Sequence, residues 1–239
     1  MLKIENTEVM GWEHAIRGMR NPMNSWEKSD SLFMNAEGDY YTIGGDNGPW
    51  PDELYADTII GDNDLKLMTT LRNAGTDHRK FMRMITVYLD ITAPLYWWKE
   101  FDTYKVGTVA NSCSTMHKIA DKEFTLEDFS CEHLSEPAIS ILKNTVEALN
   151  QARDLYLGYN GFKHQWGDWE KKHYWWQMIQ LLPSSYNQKR TVMLNYEVLA
   201  NIYKSRRNHK LDEWHTFCDW IERLPYSELI TGKEEKADV

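Results

Sequence analysis

The stretch N-Y-E-V-L-A-N-I-Y-K-S-R-R-N-H, residues 195–209, decides the fold of this chain. Its apolar side chains recur at steps of three and four residues, which is the period of a helix with one buried stripe. The stripe consists of Val198, Leu199, Ile202 and Tyr203. The run L-L-P-S-S-Y-N-Q-K-R-T-V at 181–192 comes before it. The sequence therefore predicts a short strand, Arg190–Leu194, followed directly by a largely buried helix from Asn195 to Arg207.

Three polar residues, Asn195, Asn201 and Arg206, flank this stripe and do not form one solvent-facing side of the helix. Amide and guanidinium groups beside a core cost free energy unless they are hydrogen-bonded. A bound nucleotide cofactor would supply such partners. The alternative is an ordinary amphipathic helix with a solvated polar edge, and the periodicity alone leaves both interpretations open.

Composition sets the broad class of the protein. A chain of 239 residues is long enough to bury a core, and we expect one domain over 1–230 with a disordered tail at 231–239. The 11 Trp and 13 Tyr residues predict an aromatic-rich core or large interfaces. A formal charge of −9 argues against a nucleic-acid binder, but a small anionic ligand needs only a few local cations.

The cysteines and the chain start predict where the protein works. Cys113, Cys131 and Cys218 give no disulfide framework, which favours a reducing compartment. The opening residues M-L-K-I-E-N-T-E-V lack the apolar core of a signal peptide, and no segment is apolar enough to span a membrane. The expectation is a cytoplasmic protein without membrane or nucleic-acid partners.

Element signals predict a mixed α/β (α+β) fold with helices around a small sheet. The predicted helices are 12–19, 64–73, 94–101, 135–156, 168–182, 195–207 and 212–224. The predicted strands are 2–10, 85–93 and 190–194. Residues 35–64, rich in Gly, Asp, Asn and Pro, are expected to form a long loop or an insertion, with Asp64 capping the next helix. Residues 107–114 are predicted to be a small-residue segment able to approach a ligand.

Three further patterns carry weaker signals. Cys113 and His117 stand four residues apart, as metal ligands do, but no second pair matches, so no metal site is predicted. The segment T-D-H-R-K-F-M-R at 76–83 is either a phosphate-binding cluster or a solvated helix face. The Trp97-Trp98 and Trp175-Trp176 pairs fit a core or an interface better than a base-stacking platform.

The order of motifs resembles the flavin-dependent thymidylate synthases over roughly residues 76–216. The resemblance rests on His78, a strand, A-P-L-Y-W-W-K-E-F-D-T-Y-K, a small-residue loop, L-L-P-S-S-Y and the spacing N-x5-N-x4-R-x2-H. It implies an α/β homotetramer that binds FAD and a pyrimidine nucleotide at subunit junctions. Such enzymes transfer a methylene from methylenetetrahydrofolate to C5 of dUMP, with NADPH and the flavin supplying the reduction.

On the cofactor side the resemblance carries over residue by residue. His78 matches a family histidine near the flavin. Asn195, Asn201 and Arg206 match two asparagines and an arginine that hold FAD, and His209 falls within one residue of a histidine that contacts the same cofactor. All four C-terminal matches keep the family's spacing from Leu182-Pro183.

On the substrate side the chain departs from the family's Arg-His-Arg, seven residues, then Ser. The ungapped match is Thr103-Tyr104-Lys105, seven residues, then Cys113, and a shift of one places Ser114 on the serine. Either register loses an arginine, and Thr or Tyr cannot replace the bidentate phosphate contact of a guanidinium. The residues that the resemblance assigns to substrate binding are Glu100, Thr103, Asn111 and Ser114.

The leading hypothesis is therefore thymidylate synthesis from dUMP, with Lys105, Tyr104 and Cys113 as the catalytic candidates. Lys105 would supply positive charge near the flavin or the substrate phosphate, and Tyr104 would position the ring. One alternative is a sibling flavoenzyme acting on another nucleotide or on a non-phosphorylated nucleoside. Another is a flavin- or nucleotide-binding protein without catalysis.

Cys113 is the most conspicuous departure. A thiolate in the serine's place could add to C6 of a pyrimidine ring and activate C5 for one-carbon transfer. The alternative is that Cys113 is a small buried residue that fills a serine-sized gap and does not react.

Overall fold

The computed structural model describes residues 1–45, 58–158 and 167–232. The chain divides into two compact units, each built from separate segments. Unit 1 comprises Met1–Glu5, Asp90–Thr103 and Ala110–Val192, and unit 2 comprises Asn6–Leu89, Tyr104–Val109 and Met193–Val239. The expectation of a single domain over 1–230 stays a prediction.

The described elements confirm a mixed α/β fold. The strands are β1 (Lys3–Met10), β2 (Leu32–Met34), β3 (Tyr40–Tyr41), β4 (Thr58–Ile59), β5 (Thr86–Pro94), β6 (Val109–Ser112) and β7 (Asn187–Asn195). The helices are α1 (Trp12–Arg20), α2 (Asp62–Asn73), α3 (Leu95–Phe101), α4 (Thr115–Lys118), α5 (Glu136–Leu157), α6 (Asp168–Leu181), α7 (Tyr196–Arg206), α8 (Asp212–Ile221) and α9 (Glu228–Thr231). Short 3-10 turns cover Asn21–Met23, Trp26–Lys28, Arg79–Arg83 and Leu126–Asp128.

Two sheets organise the strands. The larger sheet has the order β1-β5-β7-β6. Along β5 every second residue is buried from Val87 to Ala93, which is the alternation that predicted this strand. The smaller sheet has the order β3-β2-β4 and is antiparallel, with Phe33 opposite both Tyr41 and Thr58.

Unit 1 is organised around the long helix α5, which packs against α6. The helix begins after Ser135, has Pro137 in its first turn and ends at Gly158, whose φ of 81° suits glycine. Its inner face joins a cluster of buried apolar residues that includes Phe124, Phe129, Leu149 and Met178. Trp97 and Trp98 are fully buried, so the prediction that this pair lies in a core is confirmed.

Unit 2 is organised around α7, which is buried along most of its length. Tyr196 in its first turn is fully buried and packs edge-on against Trp12, with ring centroids 5.3 Å apart. Trp214 and Phe217 of α8 are also fully buried. The predicted strand and helix at this point are both present, although β7 begins three residues earlier than the prediction.

Asp64 does not cap a helix as the sequence suggested, because α2 already begins at Asp62. The carboxylate of Asp30 instead accepts the backbone N–H groups of Asn63 and Asp64. The Asp64 side chain is fully buried and receives a 2.7 Å hydrogen bond from Nε of Arg20, which is 4 % exposed. Ser31 donates to the same carboxylate from its hydroxyl and its backbone N–H.

Two loop predictions need correction. Residues 35–64 contain β3 and β4, and residues 46–57 lie outside the described residues. Residues 107–114 include strand β6, which pairs with β7 at the edge of the larger sheet. The predicted tail at 231–239 lies largely outside the described residues.

Candidate functional site

The first turn of α7 fixes the position of Asn195 in unit 2. Its side-chain oxygen accepts the backbone N–H of Val198 at 3.0 Å, which is the usual role of an asparagine at a helix start. Gly107 lies against the same side chain, with a φ of 76°, and a Cβ added there would come within 2.9 Å of Nδ2 of Asn195. The backbone of residues 104–109 can therefore approach the helix start closely only because residue 107 is glycine.

At the other end of α7, Arg206 contacts two aromatic residues of unit 2. Its Nε donates to the Tyr104 hydroxyl at 2.9 Å, and its guanidinium lies 4.8 Å from the Trp214 ring centroid and 5.6 Å from that of Tyr104. The His209 ring packs edge-on against Trp214 at 6.3 Å. The structure thus brings together Tyr104, Arg206 and His209, three residues singled out from the sequence, around one buried tryptophan.

Asn201, in the middle of α7, joins a charged network with the Arg79–Arg83 turn. Nη2 of Arg79 donates to Oδ1 of Asn201 at 3.2 Å, and Nε of Arg79 lies 3.4 Å from Oε1 of Glu197. Arg83 pairs with the other oxygen of the same carboxylate. Burial raises the pKa of Glu197, but the hydrogen bonds and charges of Arg83 and Arg79 outweigh it, so the pKa lies below its ordinary value. The 76–83 segment is therefore only partly a solvated face.

A cleft of about 540 Å³ in unit 2, here called the basic cleft, opens beside this network. Its cationic lining residues are Arg72, Arg79, Lys204 and Arg207. Asn201 also lines it, whereas His78 does not. His78 and Lys105 are both exposed in unit 2.

A second cleft, of about 510 Å³, lies in unit 1 and is here called the thiol cleft. Cys113 and Ser114 both line it. Cys113 is exposed, so the alternative in which it is buried is wrong as to burial, and the reactivity of its thiol stays a prediction. Its backbone is held by β7, because its N–H donates to the carbonyl of Lys189 at 2.9 Å and its carbonyl accepts from Gln188 at 3.0 Å. The Ser114 hydroxyl accepts the N–H of His117 and so caps α4.

The lysines of the thiol cleft are already paired with carboxylates. Lys118 lies 2.9 Å from Asp121, Lys189 lies 3.1 Å from Asp90, and Lys122 contacts Asp128. The hydrogen bond to Asp128 raises the pKa of Lys122, and burial raises that of the Tyr186 hydroxyl in the same wall. The cleft therefore offers little uncompensated positive charge to a phosphate.

Asn187 of the thiol cleft carries an unused donor. Its Oδ1 accepts from the Ser130 hydroxyl at 2.9 Å. Its Nδ2 is buried and meets no hydrogen-bond acceptor among the described residues. A buried donor without a partner is costly, and a ligand carbonyl would satisfy it.

The remaining substrate-side candidates of unit 1 do not line the thiol cleft. Thr103 donates to the carbonyl of Glu100 at 2.7 Å, a local bond at the end of α3. Asn111 is exposed on β6. Neighbouring Asp102 pairs at 2.7 Å with Arg190, whose guanidinium also lies 4.1 Å over the Trp98 ring.

Sequence reasoning missed Arg72, Lys204 and Arg207 of the basic cleft and Asn187 of the thiol cleft. No local signal distinguishes them, because Arg72 and Lys204 lie on different helices and meet only in the fold. Asn187 lies within the quoted run 181–192, where its amide is one of several ordinary polar groups.

Within residues 1–45, 58–158 and 167–232, no group of three or more His, Cys, Asp or Glu side chains is arranged to hold a metal ion. None of the helices described is both long and apolar enough to cross a bilayer.

No family model matches this sequence, and no curated protein matches it significantly. The similar solved structures include two of the flavin-dependent thymidylate synthase ThyX from Helicobacter pylori in complex with FAD and dUMP. One has a TM-score of 0.62 and the other 0.66, each at 15% sequence identity. In both comparisons the match covers 96% of this chain and 98% of the other. This chain therefore has the fold of the flavin-dependent thymidylate synthases.

Proposed function

We propose that this protein is a flavin-dependent enzyme that methylates a pyrimidine nucleotide, with dUMP to dTMP as the reaction. The observation that carries the proposal is the fold shared, over nearly the whole chain, with two enzyme structures that hold FAD and dUMP. The proposal includes methylenetetrahydrofolate and NADPH as co-substrates, a cytoplasmic location and a homotetramer.

The residues of unit 2 fit a flavin dinucleotide. Thr108 carries a buried hydroxyl oxygen that meets no partner among the described residues. Arg206, Tyr104 and Trp214 combine a guanidinium with two aromatic rings, which suits an anionic, aromatic ligand. We assign FAD binding to His78, Asn195, Asn201, Arg206 and His209, as the resemblance implied.

In this proposal bound FAD supplies the reducing chemistry, and the chain's own residues bind and orient the substrate. Cys113 presents an exposed thiol to the thiol cleft, where it can attack C6 of a pyrimidine. The sulfur–carbon bond that forms places an electron pair at C5, which then attacks the one-carbon unit. The C5 proton and the folate amine then leave, so that the bond between the methylene carbon and the folate nitrogen breaks. A hydride, drawn from the reducing chemistry that bound FAD would supply, adds to the methylene carbon, and expulsion of the thiolate restores the C5–C6 double bond. Ser114 and the Asn187 amide would hydrogen-bond the substrate.

The first test is whether the protein takes up FAD. We expect bound flavin absorbance after addition of FAD and gel filtration. Arg206→Ala should weaken FAD binding roughly ten- to a hundredfold, because charge-assisted hydrogen bonds are each worth about 1.5–3 kcal/mol. Arg223→Ala removes an exposed arginine of the same unit and should bind FAD as the wild type does. A wild-type protein that takes up no FAD would overturn the proposal.

The second test is whether the flavin-loaded protein makes thymidylate. We expect the gene to rescue a thymidine-requiring bacterial strain, and the purified protein to convert dUMP when given methylenetetrahydrofolate and NADPH. Binding of FAD without rescue and without turnover would leave a flavin-binding protein that lacks thymidylate chemistry.

One observation favours a second candidate, a sibling flavoenzyme that acts on a non-phosphorylated nucleoside. The paired lysines of the thiol cleft leave little charge for a phosphate, while the Asn187 amide suits a pyrimidine carbonyl. Binding measurements with dUMP and deoxyuridine separate the two candidates. Tighter binding of deoxyuridine selects the sibling enzyme, and tighter binding of dUMP selects thymidylate synthesis.

A further inference from the structure

The basic cleft of unit 2 is formed by three helices and the turn after α2. Arg72 lies near the end of α2, Asn201 and Lys204 lie on α7, and Ile230 and Thr231 lie on α9. Arg79 and Arg207 complete its cationic lining. Among the described residues no carboxylate lines this cleft. Four cations thus meet around a space large enough for a small anion.

Arg72 has no carboxylate partner among the described residues. Its Nε and Nη2 donate at 3.2 Å to the carbonyls of Leu229 and Ile230, and its Nη1 donates at 3.0 Å to the Asn73 side chain. These neutral partners orient the guanidinium but leave its charge in place. Burial, together with the nearby charge of Arg79, lowers the pKa of Arg72, as expected where cations crowd.

The other three cations differ in how far they are compensated. Lys204 is exposed and forms no ion pair with the described residues. Arg79 shares the Glu197 carboxylate, and Arg207 lies 2.7 Å from Asp219 and 3.6 Å from Glu222. All three carboxylates lie outside the cleft lining. Counting only carboxylates of the described residues, the lining therefore carries at least two uncompensated positive charges, from Arg72 and Lys204, in a protein whose net charge is −9.

We propose that the basic cleft binds a phosphate or pyrophosphate group of a nucleotide ligand, held by Arg72, Arg79 and Lys204 with the Asn201 amide. Guanidinium groups match phosphate oxygens bidentately, and a lysine adds a mobile point charge. The volume of about 540 Å³ admits such a group together with part of the molecule that bears it. Phosphate binding in the basic cleft does not depend on the proposed enzyme activity, because it requires only a ligand that carries a phosphate or pyrophosphate group.

The probe is inorganic pyrophosphate, titrated at constant low ionic strength into the full-length protein and followed by calorimetry. We expect saturable binding to the wild type that weakens as sodium chloride is added. Lys204→Gln should weaken binding roughly three- to tenfold, a modest loss because the side chain is exposed and partly screened. It leaves the backbone contacts of Arg72 untouched, so the variant should remain folded.

Lys210→Gln is the matched control, since Lys210 is an exposed lysine just beyond α7 that does not line the cleft. This variant has the same net charge as Lys204→Gln and should bind pyrophosphate as the wild type does. Equal loss in the two variants would mean that only general charge attraction is at work and would overturn the proposal. Absence of pyrophosphate binding by the wild type at low salt would overturn it as well.

The phosphate can belong to FAD or to a second nucleotide, and a competition experiment distinguishes these sources. If the cleft holds the pyrophosphate of FAD, inorganic pyrophosphate competes with FAD, and Lys204→Gln weakens both ligands. If it holds a second nucleotide, FAD-loaded protein binds pyrophosphate with unchanged affinity. A protein that binds pyrophosphate but no FAD would confirm the cleft and contradict the proposed flavin function.

Discussion

The basic cleft and the thiol cleft have similar volumes, about 540 and 510 Å³, but their charges are compensated differently. In the thiol cleft each lining lysine is paired with a carboxylate. Within the described part of the chain, Arg72 of the basic cleft bonds only to neutral groups and Lys204 forms no ion pair. The number of lining cations does not distinguish the two clefts. Their partners do, because pairing with carboxylates leaves the thiol cleft nearly neutral, whereas the basic cleft keeps positive charge that can bind an anion.

The same distinction bears on how the chain departs from the thymidylate synthase signature. In unit 1, Arg190 is paired with Asp102 and stacked on Trp98. In unit 2, Arg206 contacts the Tyr104 hydroxyl and lies over the Trp214 ring. Among the described residues that line the two clefts, the side-chain cations without a carboxylate partner are Arg72 and Lys204 of unit 2, and the thiol cleft offers a nucleophile and an amide.

The largest expected effect concerns the thiol cleft. If its contribution is a nucleophile, Cys113→Ser should lower turnover of the pyrimidine substrate roughly a thousandfold or more while FAD binding stays unchanged. Single-turnover product formation is the measurement. Cys131→Ser is the control, because Cys131 is a half-buried thiol of the same unit that does not line the cleft. A Cys113→Ser enzyme at the wild-type rate, together with a wild type resistant to alkylation at neutral pH, would rule out covalent catalysis.

The second largest effect concerns the positive charge of the basic cleft. Glu197→Gln removes the carboxylate that partly compensates Arg79. We expect pyrophosphate to bind the basic cleft roughly three- to tenfold more tightly. Urea denaturation should show a loss of about 1.5–3 kcal/mol in the free energy of unfolding. Glu37→Gln, at an exposed position of unit 2, should change neither quantity. Unchanged or weaker pyrophosphate binding in Glu197→Gln would argue against Arg79 as a ligand.

The pH dependence of the stability of Glu197→Gln tests the direction in which the pKa of Glu197 is shifted. The pKa of Glu197 in the folded protein lies below its ordinary value of 4.5, so the ionised form is favoured by folding. Its contribution to stability is fully present above that ordinary value and is lost as the pH falls through the folded pKa. The difference in unfolding free energy between wild type and Glu197→Gln should therefore shrink as the pH is lowered from 7 towards 3.

The smallest expected effect tests how Arg206 is positioned. Tyr104→Phe keeps the aromatic ring and removes only the hydroxyl that accepts from Nε. One hydrogen bond of this kind contributes about 0.5–1.5 kcal/mol, so FAD should bind roughly two- to tenfold more weakly in a fluorescence titration. Tyr88→Phe, an exposed tyrosine of unit 2, is the matched control. Equal FAD affinity in both variants would show that the Tyr104 hydroxyl does not position the arginine for FAD.

Where structure follows from local chemistry, the sequence predicted it well. The alternation of β5 and the start of α5 at Ser135 could be read directly, because neighbouring residues determine them. The start of α7 at Asn195 belongs to the same class, since the side chain bonds to a backbone N–H three residues later.

Where structure depends on distant partners, the sequence was insufficient. All four residues of β6 are exposed and only Val109 favours a strand, so the strand is defined by pairing with β7. Asp64 looked like a helix cap because its partner Arg20 lies 44 residues away. The basic cleft likewise combines α2, α7 and α9, which no spacing rule connects.

The buried pair of Arg20 and Asp64 limits how this chain can drift in evolution. Removing either partner alone strands a buried charge and costs about 3–5 kcal/mol, a large part of a typical domain's stability. Replacing both with apolar residues of similar volume can be nearly neutral. The two positions are therefore expected to show strong sign epistasis, in which each single step is selected against although the double change is tolerated. Lineages that carry this pair would keep it because of the intermediate genotypes, whatever the function of the protein.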